Sequence, residues 1–437
     1  MKKVLVNVLS LMLALTFTFS GVTKLIDPYG TAYKIEDYAG AMGLAGVLPS
    51  FVPLVMSVVL AVCEFTIGVL LLFGVRRRMN ISCMLVFLLL ATPLTLYLAI
   101  ANPISDCGCF GDALVLTNWQ SFFKNVVLLT IAFCVWGGRK DICRFISETN
   151  QWTLSLYTWV FAFCFACHNI YYLPVIDFRP YHVGADVRTQ WTQGDGTEFD
   201  TFFILEKDGE RKEFTLDDYP DSTWTFVDSY TVQRGGSRSH SGVQDFTVIS
   251  MESGEDITSS ILDDKGYTFL LVSPYIEKAD DGVMDRLSAI YEYSLDRGCP
   301  FYCLTSSGTG EVLKWQDITG AEYPFCHADA TLLKTMVRSN PGLVLLYDGV
   351  VVGKWPSTDL PSEEDLDKVL ATDKASLVSE GSRREVDGAE KILLWYLVPL
   401  LLLTLADRAR DLWKKRFANK NTNQKKVTDN EKEDCCR

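Results

Sequence analysis

Six apolar stretches, each close to the length that crosses a bilayer, constrain this chain more than any other feature: residues 4–22, 51–75, 81–101, 122–136, 152–174 and 392–406. A spanning helix needs about 20 predominantly apolar residues, because backbone groups in lipid must pair within the segment itself. Over 437 residues, the hydrophobic content of 48% and mean hydropathy of +0.13 fit a chain that lies partly in lipid. The formal net charge of -13 argues against a nucleic-acid partner, which would need a basic stripe to neutralise phosphates. Thirteen cysteines, an odd number spread over several environments, do not form one disulfide framework.

Basic residues fall after every second stretch. Lys2 and Lys3 precede the first, Arg76, Arg77 and Arg78 follow the second, Arg139, Lys140 and Arg144 follow the fourth, and Lys414, Lys415 and Arg416 follow the sixth. The positive-inside rule then puts both termini in the cytoplasm and residues 24–50, 102–120 and 177–390 outside. The expectation is a multi-pass protein of the bacterial inner membrane, in contact with membrane lipid, with a large periplasmic domain. A cleaved signal peptide over residues 1–20 is the alternative to a first span, although no A-x-A-like site ends that run. The sixth stretch holds Pro399, which a spanning helix tolerates where neighbours satisfy the freed carbonyl. Residues 407–437 read as a charged cytoplasmic tail, with Cys435 and Cys436 open to S-acylation.

Residues 177–390 are polar, acidic and rich in alternating patterns, so they read as a folded domain outside the membrane. In "FFILEKDGERKEFTL" two such runs flank Asp208-Gly209, a hairpin signal within a β-rich region over 177–242 that ends in the linker-like "QRGGSRSHSG". From Asp245 onward the order is strand "DFTVIS", strand "YTFLLVSP", a helix over 282–295, strand "PFYCLTS" and a helix near 328–337. Two strands in "NPGLVLLYDGVVVGKW" then turn at Asp348-Gly349, and a helix over 362–370 opens with a Ser362 and Asp365 capping box. This order, with Asn340-Pro341 ahead of the hairpin, resembles the thioredoxin-like fold of the TlpA and MauD type, within a domain taken as 243–375. The resemblance implies a cis-proline facing an active site, which makes Asn340 and Pro341 candidates for partner binding. It also implies a redox Cys-x-x-Cys after Pro274, where this chain reads "SPYIEKADDG" with no cysteine. Thioredoxin chemistry needs a thiolate activated at a helix start, so the domain is expected to bind a client rather than oxidise it. Cys299, Cys303 and Cys326 read as buried small side chains or as one structural disulfide.

The stretch "ISDCGCFGD" between the third and fourth spans falls outside, where thiols are not kept reduced. Cys107 and Cys109, with Gly108 supplying a tight turn, read as an exchanging redox pair, a loop staple, or a metal clip with Asp106 and Asp112. So small a ring favours exchange, because strained exposed disulfides are the labile ones. "FSGVTKLIDP", "CEFTIGVLLLFG" and "NPISDCGCFGDALVLTNWQSFFKNVVLL" resemble the DoxX/MauE-like membrane family over residues 1–140. The resemblance implies a four-helix membrane bundle with a role in periplasmic redox or maturation, beside a thioredoxin-like partner that this chain carries fused to it.

Two further features are candidates. Cys164 and Cys167 in "CFACHN" lie one helical turn apart on the fifth span and precede His168. They read as helix packing, as a buried relay like that of membrane disulfide-generating enzymes of the vitamin K epoxide reductase type, or as a c-type haem signature. Glu64 lies mid-span in the second stretch, with Lys124 on the fourth as a partner; an ionisable residue there marks an internal ion pair or a proton or quinone site. Lys24, Asp27 and Pro28 read as shaping the exit of the first span, and "DFRPYHVG" as securing the fifth helix to the outer domain. The sum is a multi-domain membrane protein: an α-helical bundle of about six spans plus a periplasmic α/β thioredoxin-like domain with a preceding β-hairpin region. It is expected to act in thiol/disulfide redox or maturation of exported proteins through Cys107 and Cys109, on a periplasmic client, or alternatively to serve as a non-catalytic scaffold.

Overall fold

A computed structural model describes residues 2–43, 49–104, 106–194, 199–207, 210–215, 225–233 and 246–435. Ser105, the turn Asp208-Gly209, most of "QRGGSRSHSG" and Cys436 therefore lie outside the described residues. The chain divides into two units, Met1–Ala166 with Glu390–Arg437, and Cys167–Ala389.

The first unit is helical: α1 (Lys2–Ile26), α2 (Pro28–Ala41), α3 (Val52–Leu72), α4 (Arg77–Ala101), α5 (Asn118–Gly137) and α6 (Gln151–Tyr171), which crosses the boundary into the second unit. All of these except α2, together with the carboxy-terminal helix, are long and apolar enough to cross a membrane. Close packing of α1 on α3 follows from two glycines, since a Cβ at Gly21 would fall 2.6 Å from Phe65 Cα and one at Gly68 2.6 Å from Thr18 Oγ1. Helix α2, unanticipated from hydropathy, begins where Asp27 accepts a hydrogen bond from the Gly30 amide and Pro28 occupies the first turn. Helix α5 starts four residues ahead of its apolar run because Thr117 and Gln120 form a capping box. In the segment after Glu390, Tyr396 packs 4.5 Å from the Phe161 ring, and buried Asp407 accepts from the Ser147 amide at 2.7 Å and Asn150 Nδ2 at 2.7 Å.

The second unit opens with α7 (Val187–Gly194) and a three-stranded antiparallel sheet, β1 (Phe199–Lys207), β2 (Glu210–Thr215) and β3 (Thr225–Gln233), in the order β2-β1-β3. The expected hairpin is there, with Lys207 opposite Glu210, and a third strand joins it. There follow β4 (Ile249–Ser250), α8 (Thr258–Leu262), β5 (Tyr267–Ser273), α9 (Met284–Asp296), β6 (Phe301–Thr305), α10 (Thr309–Thr319), β7 (Phe325–His327), α11 (Ala330–Met336), β8 (Gly342–Tyr347), β9 (Val350–Pro356) and α12 (Glu363–Ala371). Their sheet runs β4-β7-β6-β5-β8-β9, with β5, β6 and β7 parallel and the β8-β9 hairpin antiparallel. A parallel βαβ half followed by an antiparallel hairpin and a closing helix is the thioredoxin-like arrangement. "YTFLLVS" reads as a continuous apolar run because both faces of β5 are covered: Phe269 and Leu271 enter one core, Leu270 and Val272 the other.

Further elements of this unit also went unread in sequence, among them α8, α10 and β7. Helix α10 lies between Gly308 and Gly320, the latter left-handed with φ of 69°, and β7 follows it. The expected strand "DFTVIS" shrinks to Ile249–Ser250, although Phe246 and Val248 are buried. A final helix, α13 (Lys374–Cys435), passes unbroken through Pro399.

Candidate functional site

Cys107 and Cys109 are joined as a disulfide in the loop between α4 and α5. The left-handed Gly108, with φ of 61°, makes so short a closure sterically free. Three helices bond this loop directly, and a fourth stands behind them. From α1, Lys24 Nζ donates to the Cys109 carbonyl at 2.6 Å and the Ser20 hydroxyl donates to the same oxygen at 2.8 Å. From α2, the Tyr38 hydroxyl donates to the Cys107 carbonyl, and Lys34 pairs with Asp106, whose other oxygen accepts from the Gly108 amide at 3.1 Å. Burial, reinforced by Asp106 and Asp37, holds the Tyr38 phenol above its ordinary range, so it remains a donor. From α5, the Ser121 hydroxyl lies 2.9 Å from Cys107 Sγ, and Asn118 Nδ2 donates to the Asn102 side chain at 2.9 Å and to the Ile104 carbonyl at 2.7 Å.

The fourth helix, α3, supplies Glu64. Its partner is Lys24 at 2.8 Å, not Lys124 as expected, and both side chains are at most 6% exposed. Lys24 uses all three of its N–H bonds, on Ser20, Glu64 and Cys109. The expectation failed because the end of α1 was read as a surface exit, whereas the Gly21 contact draws α1 and Lys24 against α3. Lys124 instead sets its ammonium 4.2 Å from the Phe110 ring centroid.

Disulfide, ion pair and Lys124 together border a cavity of about 460 Å³ whose other walls are mostly apolar, Phe17, Leu88, Leu94 and Leu98 among them, with Ser20, Lys34, Tyr38, Thr95 and Asn125 as further polar groups. Cys107 is buried, at 8% exposure, and Cys109 is half-buried, so Cys109 is the sulfur an incoming thiolate reaches more readily. Asp112 is exposed in the turn Gly111–Ala113, and Asp106 faces Lys34 and the loop amide, so the two aspartates do not converge with the sulfurs as a metal clip requires.

Cys164 and Cys167 are thiols on α6, exposed on its surface, and neither lines this cavity. In the second unit Cys299, Cys303 and Cys326 are thiols as well, Cys303 and Cys326 buried and Cys299 half-buried, which is the first of the two expected alternatives and not the structural disulfide. Burial pushes the Cys303 thiol well above its ordinary range and that of Cys326 up to about 12, so neither forms a thiolate near neutrality. Asn340-Pro341 is cis; Asn340 donates to the Tyr275 carbonyl at 2.8 Å and accepts from Ser273 at 2.7 Å, while Pro341 is buried.

A buried ionic cluster in the second unit was not foreseen. Asp177 accepts from Lys354 Nζ on β9 at 2.7 Å and from Arg179 Nε at 2.7 Å, with all three side chains at most 9% exposed. Burial pushes the Asp177 carboxyl up, but the Lys354 ammonium and the Arg179 guanidinium outweigh it and hold the group well below the usual carboxylate range. The available signal was "DFRP", an acid and a base two residues apart beside an apolar strand that carries its own lysine, "VVVGKW".

No curated protein matches this chain. A solution structure of a candidate protein disulfide isomerase from Bacteroides thetaiotaomicron aligns at 17% identity over 34% of this chain and 89% of that one, with a TM-score of 0.24, and no argument rests on it. Residues 199–234 match a domain of unknown function. The helical region that carries the Cys-Gly-Cys loop and the Lys24–Glu64 pair, residues 2–137, matches the family described as methylamine utilisation protein MauE.

Proposed function

We propose that this membrane protein carries out thiol–disulfide exchange for exported proteins, with Cys107 and Cys109 as the reacting pair. The observation that carries the reading is the disulfide itself: a ring closed across one glycine, fixed by buried donors and bordering a cavity. A client thiolate attacks Cys109 Sγ, the S–S bond breaks, and Cys107 leaves as a thiolate beside the Ser121 hydroxyl. A second client thiolate then displaces Cys109, which leaves the client oxidised and the pair reduced. A small-ring disulfide is the more oxidising partner in such an exchange, which sets this direction. The Cys-Gly-Cys loop faces the periplasm of a bacterial cell, both termini lie in the cytoplasm, and the thioredoxin-like unit presents the client near Asn340 and Pro341. The thioredoxin-like domain lacks a Cys-x-x-Cys, and burial disfavours the thiolate at Cys303 and Cys326, which supports placing the chemistry in the loop.

Differential alkylation with mass spectrometry in intact cells tests this. A pair that shifts between dithiol and disulfide within minutes of adding reductant or oxidant supports exchange, and a Cys107→Ser variant, which keeps Cys109, should trap a client that Cys109→Ser does not. The 8% exposure of Cys107 favours a second reading, a non-catalytic scaffold with a structural bond. That reading expects an unresponsive disulfide and cysteine variants that lose stability without altering client thiols.

A further inference from the structure

If the pair oxidises clients, something must reoxidise it, and the cavity limits what that can be. The cavity is bounded by α1, α2, α3, α4, α5 and the disulfide loop, and Cys107, Gly108 and Cys109 all border it. Leu90 also lines it and is 72% exposed, so the cavity opens on a face of α4 that, in a spanning helix, hydrocarbon covers. A ligand entering there must be apolar along most of its length. At the loop end it meets a different surface: the Ser20 hydroxyl, the Lys24–Glu64 pair, Lys124, and Asn125 bonded to Thr95 at 3.2 Å. Lys24 has no N–H left to give and Lys34, which also borders the cavity, is committed to Asp106, so Lys124 is the lysine best placed to offer a proton and a positive charge to a ligand atom gaining electrons. A volume of about 460 Å³ is ample for a single substituted ring with the start of a chain.

We propose that this cavity binds a lipid-soluble quinone that accepts the two electrons of the reduced Cys107–Cys109 pair; the inference rests on the exchange reading above. The step balances. Two S–H bonds break and one S–S bond forms, and the two electrons and two protons go to the quinone carbonyl oxygens to give the hydroquinone. An apolar tail in the Phe17, Leu88 and Leu94 walls and a polar head toward Lys124 place the ring beside the sulfurs.

The test uses the full chain in phospholipid nanodiscs, reduced with dithiothreitol, freed of it, and mixed with decylubiquinone, whose fully substituted ring cannot add thiols. Expected are about one hydroquinone formed per protein, return of Cys107 and Cys109 to an alkylation-resistant disulfide, and loss of both in Cys107→Ser. An azido-quinone should label α4 around Leu90 and Leu94, with the label removed by excess decylubiquinone. A pair that dithiothreitol reduces readily but that yields no hydroquinone overturns the quinone site and leaves exchange standing. So does label spread over every helix without competition. A pair that dithiothreitol cannot reduce overturns the exchange reading itself.

Discussion

Replacing Glu64 with glutamine removes one charge from a buried pair and leaves Lys24 with its other two acceptors, Ser20 and the Cys109 carbonyl. At 2.8 Å and an effective dielectric constant of about 20, the direct attraction is roughly 6 kcal/mol. Desolvation of both groups offsets most of that when the pair is compared with two apolar side chains. Breaking the pair from one side is a different perturbation, because an ammonium at 5% side-chain exposure then has no counter-charge bonded to it. The expected loss is about 3–5 kcal/mol, whereas Lys24→Met combined with Glu64→Leu should recover most of it. In a thermal scan of the purified full-length protein in one detergent, Glu64→Gln should lower the midpoint by roughly 10 °C. The double variant should return to within a few degrees of the parent, yet its Cys109 carbonyl keeps only the Ser20 donor, so its disulfide should be reduced faster by a small dithiol. A Glu64→Gln loss below about 1 kcal/mol, or a double variant no better than the single, would refute the buried-pair argument.

Ser121→Ala removes the hydroxyl beside Cys107 Sγ, and since a hydrogen bond to a charged group contributes about 1.5–3 kcal/mol, reduction of the pair should slow by one to two orders of magnitude in a stopped-flow assay with little change in thermal midpoint. Gly68→Val pushes α3 off the backbone of α1 at Thr18 and should cost about 1–3 kcal/mol through overpacking, read in the same thermal scan. Asp177→Asn strands two buried cations and should cost about 3–5 kcal/mol, followed by hydrogen exchange of β8 and β9 in the full chain. The folded Asp177 carboxyl titrates below its unfolded value of 3.8, so its increment is fully present above about pH 5 and is lost as the pH falls further. Exchange protection in β9 should therefore drop below pH 4 in the parent and vary far less in Asp177→Asn.

What the sequence disclosed follows the range of the interactions involved. Spans, hairpins and caps are local: the apolar run 81–101, the Asp348-Gly349 turn and the Ser362 cap each carry their cause within a few residues, and each formed close to where it was read. Helix α2 and the Gly320 stop of α10 were equally local, written as Asp27-Pro28 and as a left-handed glycine, and needed only closer attention to helix ends. The pairing of Glu64 was of another kind. Its two candidate lysines differ by a hundred positions in the chain, and hydropathy cannot say which spanning helix presses against α3. That choice is made by Gly21 and Gly68, where the missing Cβ atoms let the two backbones meet, and it carries Lys24 with it.

The same distinction separates the two sets of cysteines. Whether a thiol can react depends on what lies next to it in space, and Cys303 and Cys326 lie on adjacent strands inside the sheet, where burial suppresses the thiolate. For Cys107 and Cys109 the spacing alone allowed a clip, a staple or an exchanging pair. The structure joins the sulfurs, turns Asp106 toward Lys34, and surrounds the loop carbonyls with Ser20, Lys24 and Tyr38. Under the proposed exchange, a loop backbone held by these donors should keep its shape when the S–S bond opens and leave the dithiol set for reclosure, which a pair that cycles needs and a staple does not.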